Sequence, residues 1–240
     1  MIPAALVRAW RLTAPWTTNA QVEQDLIISR ALVEAYQDKV VAERLAFRGE
    51  RRFTNCISVR PFVTRKISIL SKCKRSELER HWLRAPWPIG SAAGRTQLGY
   101  RKADFAVTSD WFKGRAQILG YDVNELLGTK LRALYQRRKG RDLFDLAMAI
   151  ERIKEVDGEG VVRCFREYMQ RDGHQVSRAE FEENLAIKMA SAEFRSEVGP
   201  LLASEGHGVQ MGFNAATAYE VVHGLLIQRL EGKPWKGLKT

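Results

Sequence analysis

Between Arg48 and Lys102 the chain contains no aspartate at all, in a protein of 240 residues that carries 28 acidic side chains. It is also short of the features that mark several broad classes. Three cysteines, Cys56, Cys73 and Cys164, are too few and too scattered for a disulfide framework or a zinc site. No apolar run approaches the roughly 18 residues of a membrane span. The opening MIPAALVRAWRLTAPW lacks the apolar core of a signal peptide, so a cytoplasmic protein without membrane attachment is expected. There is no internal repeat and no low-complexity tract. With 45% hydrophobic and 9% aromatic residues, a wholly disordered chain is excluded.

What is present in excess is positive charge, and it is concentrated. The formal net charge is +11. Residues 48–102 hold 14 Lys and Arg against 3 Asp and Glu, which accounts for the whole excess. Outside them the chain is balanced, as an ordinary folded protein is. The same stretch lacks periodicity: basic residues interrupt every short apolar run in RRFTNCISVRPFVTRKISILSKCKR. HWLRAPWPIGSAAGRTQLGY then scatters Trp, Pro and Gly without pattern.

On either side the periodicity is helical. Pro3 suits a first helical position. Thr18 and Gln21 have capping-box spacing ahead of QVEQDLIISRALVEAYQ, where Val22, Leu26, Ile27 and Leu32 are expected to share an apolar stripe. DFAVTSDWF reads as a strand, and Gly120 as the entry to a helix. Asp122 and Glu125 form a second capping-box pair for VNELLGTKLRALYQRR, with Val123, Leu126, Leu127, Leu131, Leu134 and Tyr135 as its apolar face. A second helix is expected from RDLFDLAMAIERI, followed by helical segments around VVRCFREYM, SRAEFEENLAIKMASAEF (capped by Ser177 and Glu180) and AATAYEVVHGLLIQRL. Cys164 reads as a small core residue. Glu182, Glu183 and Glu193 read as a solvated helix face, and GKPWKGLKT as a frayed basic tail. His81, His174, His207 and His223 have no metal-ligand spacing.

The string that carries chemistry is ELLGTKLRALYQRRKGRDLFDL, Glu125 to Leu146. Lys130 falls on the polar side of its helix. Asp142 and Asp145, three apart, share a face of the next one. A lysine aimed at carboxylates across a short turn suits phosphate chemistry, the ammonium acting as a point charge on a triphosphate. The same pattern also describes a salt-bridged, solvated helical hairpin, and charge patterning alone does not choose between them.

This string, with QVEQDLIISRAL and FRG near the start, resembles the AbiEii/AbiGii family of nucleotidyltransferases, toxins of type IV toxin–antitoxin or abortive-infection systems that act in phage defence. The resemblance spans about residues 1–49 and 105–150 and extends loosely over the helical tail. It implies an α+β core, a small sheet with helices, that moves a nucleotide from an NTP with Mg2+ to an acceptor such as tRNA. Lys130 and Gly49 would then be nucleotide-binding, Asp142 the late catalytic acid and Asp145 its brace, with Arg141 orienting neighbouring carboxylates. It further implies a cognate antitoxin that acts without a stable complex.

One family motif is missing. Relatives follow a glycine pair with an Asp-x-Asp dyad whose carboxylates hold the metal ions. Here Gly49 is followed by Glu50, and no such dyad occurs. The genetic code offers a reason. Back-translated and reread one frame over, residues 49–70 permit GTALYKLYLRPALRYSEDIDLV, which is the missing motif. Several junctions leave little freedom: Asn55-Cys56 yields only Leu, Cys56-Ile57 only Tyr or His, and Lys66-Ile67 only Asn or Asp. The dyad would straddle Lys66 to Ile69. Residues 50 to about 102 are therefore expected to be the out-of-frame product of a compensated frameshift, and poorly ordered.

The resulting expectation is α+β ancestry in a chain now predominantly α, with a degraded sheet region. Its parts are residues 1–49 (N-terminal helical part of the core), 50–104 (basic segment) and 105–240 (helical region carrying Lys130 and Asp142). The enzyme activity is expected to be lost with the metal site. The competing reading is a non-catalytic RNA- or DNA-binding protein, in which Phe53, Phe62, Trp82 and Trp87 stack bases among the basic residues of 50–102.

Overall fold

The computed structural model describes residues 2–14, 18–44, 46, 96–197 and 214–237. Gly49, most of the basic segment, and with them the expected disorder and the shifted dyad, lie outside the described residues. The chain divides into two compact units, Met1–Gly120 and Tyr121–Thr240.

The first unit begins with α1 (Ala4–Arg11), α2 (Asn19–Gln37) and α3 (Lys39–Arg44). Pro3 sits just before α1, as its N-cap. The Thr18–Gln21 capping box forms at the start of α2, satisfying two orphan donors reciprocally. The buried stripe of α2 is Val22, Leu26, Leu32 and Val33, whereas Ile27 is 42% exposed and its neighbour Ile28 is buried in its place. The buried Trp10 indole donates to Asp25 Oδ2 at 2.9 Å and pins α1 to α2.

Two strands, β1 (Tyr100–Thr108) and β2 (Lys113–Tyr121), pair as an antiparallel hairpin and form the sheet. Phe105 and Val107 alternate inward on β1 and meet Ile118 of β2 in one core with Val22, Leu26 and Val33. Ser109 closes the hairpin: its backbone N–H donates to Phe112 O, and its hydroxyl accepts from Phe112 N–H, both at 3.0 Å. The loop's Trp111 and Phe112 rings lie 5.0 and 5.4 Å from the Arg30 guanidinium of α2. The strand read from DFAVTSDWF thus starts earlier and ends before the loop, and Gly120 lies within a second strand rather than at a helix entry.

The second unit is helical: α4 (Val123–Gln136), α5 (Gly140–Arg152), α6 (Gly158–Arg171), α7 (Arg178–Ala190), α8 (Ala192–Ser196), α9 (Ala215–Leu225) and a 3-10 turn, Ile227–Arg229. Its core is built from Leu131, Leu134, Leu143, Phe144, Leu146, Phe165, Met169, Phe181 and Leu185. Phe165 meets Phe181 edge-on with centroids 5.6 Å apart. Gly128 lets α4 and α6 approach closely, since a Cβ there would stand 2.6 Å from Cys164 Cβ. Cys164 is buried as expected, and burial, followed by the nearby Glu125, pushes its thiol up to about 11. The architecture is therefore predominantly α with a small sheet, as the sequence leads one to expect.

Capping in this unit follows the sequence with one exception. Ser177 and Glu180 form a reciprocal box. Asp122 caps α4 by accepting from Asn124 N–H, but Glu125 is fully buried and accepts from the Tyr168 hydroxyl at 2.6 Å. A carboxylate at that depth needs a strong donor, and the tyrosine of α6 supplies one.

Candidate functional site

Helices α4 and α5 are joined by three residues, Arg137 to Lys139, so their ends lie close and side chains near the turn can meet. Asp142 and Asp145, at i and i+3 on α5, present their carboxylates on one side. From α4, Lys130 reaches both, with Nζ 3.3 Å from Asp142 Oδ1 and 2.5 Å from Asp145 Oδ2. The three side chains are 16%, 4% and 9% exposed respectively, so water does little to screen the contact. Asp142 also lies in the first turn of α5, where the helix dipole favours a negative charge. Its Oδ2 is buried and accepts no hydrogen bond among the described residues.

Lys130, Asp142 and Asp145 are thus brought together. Gly49 lies outside the described residues. Arg141 makes no ion pair with Asp142 or Asp145 among the described residues; Lys130 holds them instead.

A second lysine supports the first, and no local pattern of residues marks it. Lys188 of α7 is 4% exposed. Its ammonium donates to Leu134 O at 2.5 Å and Tyr135 O at 2.6 Å, the orphan carbonyls of the last turn of α4. Burial, then the positive charge of Arg138, pushes it down to about 8, with Asp142 pulling the other way. Lys188 therefore fixes the C-terminal end of the helix that carries Lys130.

Glu182 corrects an expectation in the same way. It lies buried, not on a solvated face. It accepts from Arg178 Nε at 2.7 Å and Trp235 N–H at 2.7 Å, and His223 Nε2 lies 2.9 Å away. Burial works to raise its carboxyl, yet these bonds together hold it below its usual range. The segment around Trp235, expected to fray, is tied to the helices through that backbone contact.

The donor set decides whether this place could seat a magnesium ion. Mg2+ demands near-octahedral oxygen ligands and usually takes carboxylates free to turn towards it. Here the two carboxylates share one ammonium, whose charge would repel a divalent ion between them. Among the described residues no group of three His, Cys, Asp or Glu side chains is placed to hold a metal. Two buried carboxylate oxygens, Asp142 Oδ2 and Asp145 Oδ1, beside a shared ammonium do not make a seat for a divalent ion, so the described residues do not fit a metal.

Among the described residues no helix is long and apolar enough to cross a membrane. No curated protein and no solved structure matches the chain. Residues 92–217 match the family model of the nucleotidyl transferase AbiEii toxin of type IV toxin–antitoxin systems. The match takes in both strands, the Lys130–Asp142–Asp145 cluster and helices α4 to α8, and ends in the first turn of α9. The chain belongs to the AbiEii nucleotidyl transferase toxin family, and a type IV system implies an antitoxin partner.

Proposed function

We propose that this chain is a nucleotidyltransferase-like toxin that keeps the phosphate-contacting half of the site and lacks the metal-binding half, so that it transfers no nucleotide. The observation that carries this reading is the pairing of Lys130 with Asp142 and Asp145, in a chain whose residues 48–102 contain no aspartate and hence no Asp-x-Asp dyad. Phosphoryl transfer asks the protein for placement and charge neutralisation rather than covalent chemistry. In intact relatives magnesium supplies most of that neutralisation when bound. Here Lys130 would offer its ammonium to NTP phosphates, while Asp142 and Asp145 hold it charged and aimed. With Lys66 and Ser68 where the dyad belongs, the two carboxylates that hold the ions would be lost and a positive charge added.

The frameshift gives this loss an origin. If the codons for Arg65 to Leu70 spell SEDIDLV in the shifted frame, the interpretation holds; codons that cannot do so eliminate it. The acceptor of intact relatives is taken to be tRNA or another nucleic acid, the setting phage defence in the cytoplasm, and the antitoxin one that counteracts the toxin without a stable complex. The catalytic consequence is tested with radiolabelled NTPs, bulk tRNA and magnesium. No incorporation above background is expected, and robust incorporation would refute the reading.

The second reading, nucleic-acid binding without catalysis, is favoured by the confinement of the whole +11 excess to residues 48–102. It requires tRNA binding with a steep salt dependence. Binding that survives deletion of residues 50–102 unchanged eliminates it.

A further inference from the structure

The turn between α4 and α5 and the first residues of α5 carry Arg137, Arg138, Lys139 and Arg141, four basic residues in five positions. They face a concavity of about 420 Å³ closed on its other side by Ser191 and Phe194. Beside it, residue 140 is glycine: a Cβ there would stand 1.9 Å from Phe194 O, so the backbone of α8 lies directly against the start of α5.

Charge within it is unbalanced. Lys139 is paired with Glu197 at 2.8 Å, and Glu193 contributes one carboxylate to the lining. Arg137, Arg138 and Arg141 have no ion pair among the described residues. Lys139, the N-cap of α5, makes no side-chain capping bond. The start of this 13-residue helix, where Asp142 N–H closes onto Lys139 O at 3.0 Å, lies beside Lys139 and Arg141, both of which line the concavity.

We infer that this concavity binds the phosphate backbone of an RNA. The inference rests on the reading of the chain as a relative of enzymes that act on a nucleic-acid acceptor, and it places that acceptor's docking surface in the helical unit rather than in residues 50–102. Guanidinium forks match phosphate oxygens bidentately. Arg137 and Arg138 are exposed, so each contact is weakened by water and gains most from a ligand that repeats its charge. A polyanion does so, and a protein of net charge +11 attracts it over distance. The concavity is separate from Lys130, whose ammonium is already held by Asp142 and Asp145.

The test is fluorescence anisotropy of a labelled RNA hairpin with the full chain, in EDTA and without NTP, so that the readout is blind to nucleotide transfer. The variant Arg137→Gln/Arg138→Gln/Arg141→Gln is compared with Lys154→Gln/Arg163→Gln/Lys236→Gln, which removes the same charge at exposed sites elsewhere. The first is expected to bind about tenfold more weakly or worse, with a salt slope shallower by about 3 for three lost phosphate contacts. The second should stay near the parent. Equal weakening in both, or none in the first while its circular dichroism is that of the parent, overturns the inference. So does displacement of the RNA by ATP or polyglutamate at the same charge concentration, which would mean the site takes a triphosphate or any polyanion. Nucleotide incorporation in the separate transfer assay would refute inactivity and leave this result standing.

Discussion

At the residue scale the cluster around Lys130 is a matter of stability before it is one of chemistry. Asp142 and Asp145 are nearly buried, and removing their shared cation leaves two negative charges out of water. Lys130→Met is expected to cost about 3 kcal/mol, read as a lowered denaturation midpoint. Adding Asp142→Asn and Asp145→Asn to it should recover most of that loss. A Lys130→Met chain as stable as the parent would show that the carboxylates do not depend on the lysine. Glu182 allows a test by pH. Its carboxyl is held below the usual 4.5, so its contribution is present above that value and is lost as pH falls through the folded-state one. Glu182→Gln should therefore cost about 1–3 kcal/mol at neutral pH, a cost that shrinks as the parent is acidified below 4.5. A cost that stays constant with pH contradicts the ionised network. The spacing of Asp142 and Asp145 and their relation to Lys130 were legible because they are set by one helix period and one short turn. Glu182 and Lys188 were not, since their burial is imposed by segments distant in sequence: Trp235 and His223 for one, the end of α4 for the other.

At the element scale, boundaries marked by local chemistry were readable and those marked by partners were not. Thr18–Gln21 and Ser177–Glu180 announce helix starts because each box is complete within four residues. Glu125 has the same spacing from Asp122, but the Tyr168 hydroxyl takes it into the core. The second strand was missed although its alternation is present: Lys113, Arg115 and Gln117 point outward between Gly114, Ala116 and Ile118. Its outward positions are polar and two of its inward ones small, so the apolar face becomes visible only once β1 pairs with it. Helix contacts depend on glycine in two places. Gly140→Ala would drive a methyl into Phe194 O and push α8 off the start of α5. We expect a loss of about 1–3 kcal/mol and, if RNA docks in the adjoining concavity, weaker RNA binding as well. A Gly140→Ala chain with unchanged midpoint would mean that α8 can shift at no cost.

At the scale of the whole molecule, the family match begins at residue 92, shortly before β1 starts at Tyr100. Upstream of that point lies the stretch without aspartate that carries all of the excess charge. The proposal rests on this division: Lys130, held by Asp142 and Asp145, would face the phosphates without an Asp-x-Asp dyad to seat magnesium beside it. Manganese, which substitutes for magnesium and is visible by electron paramagnetic resonance, tests the proposal most directly when titrated into the full chain without nucleotide, so that an NTP held by Lys130 cannot carry the ion onto the protein. Only the signal of free manganese is expected, unchanged by Asp142→Asn. One protein-bound manganese per chain, abolished by Asp142→Asn in a variant that still folds, would contradict the proposal.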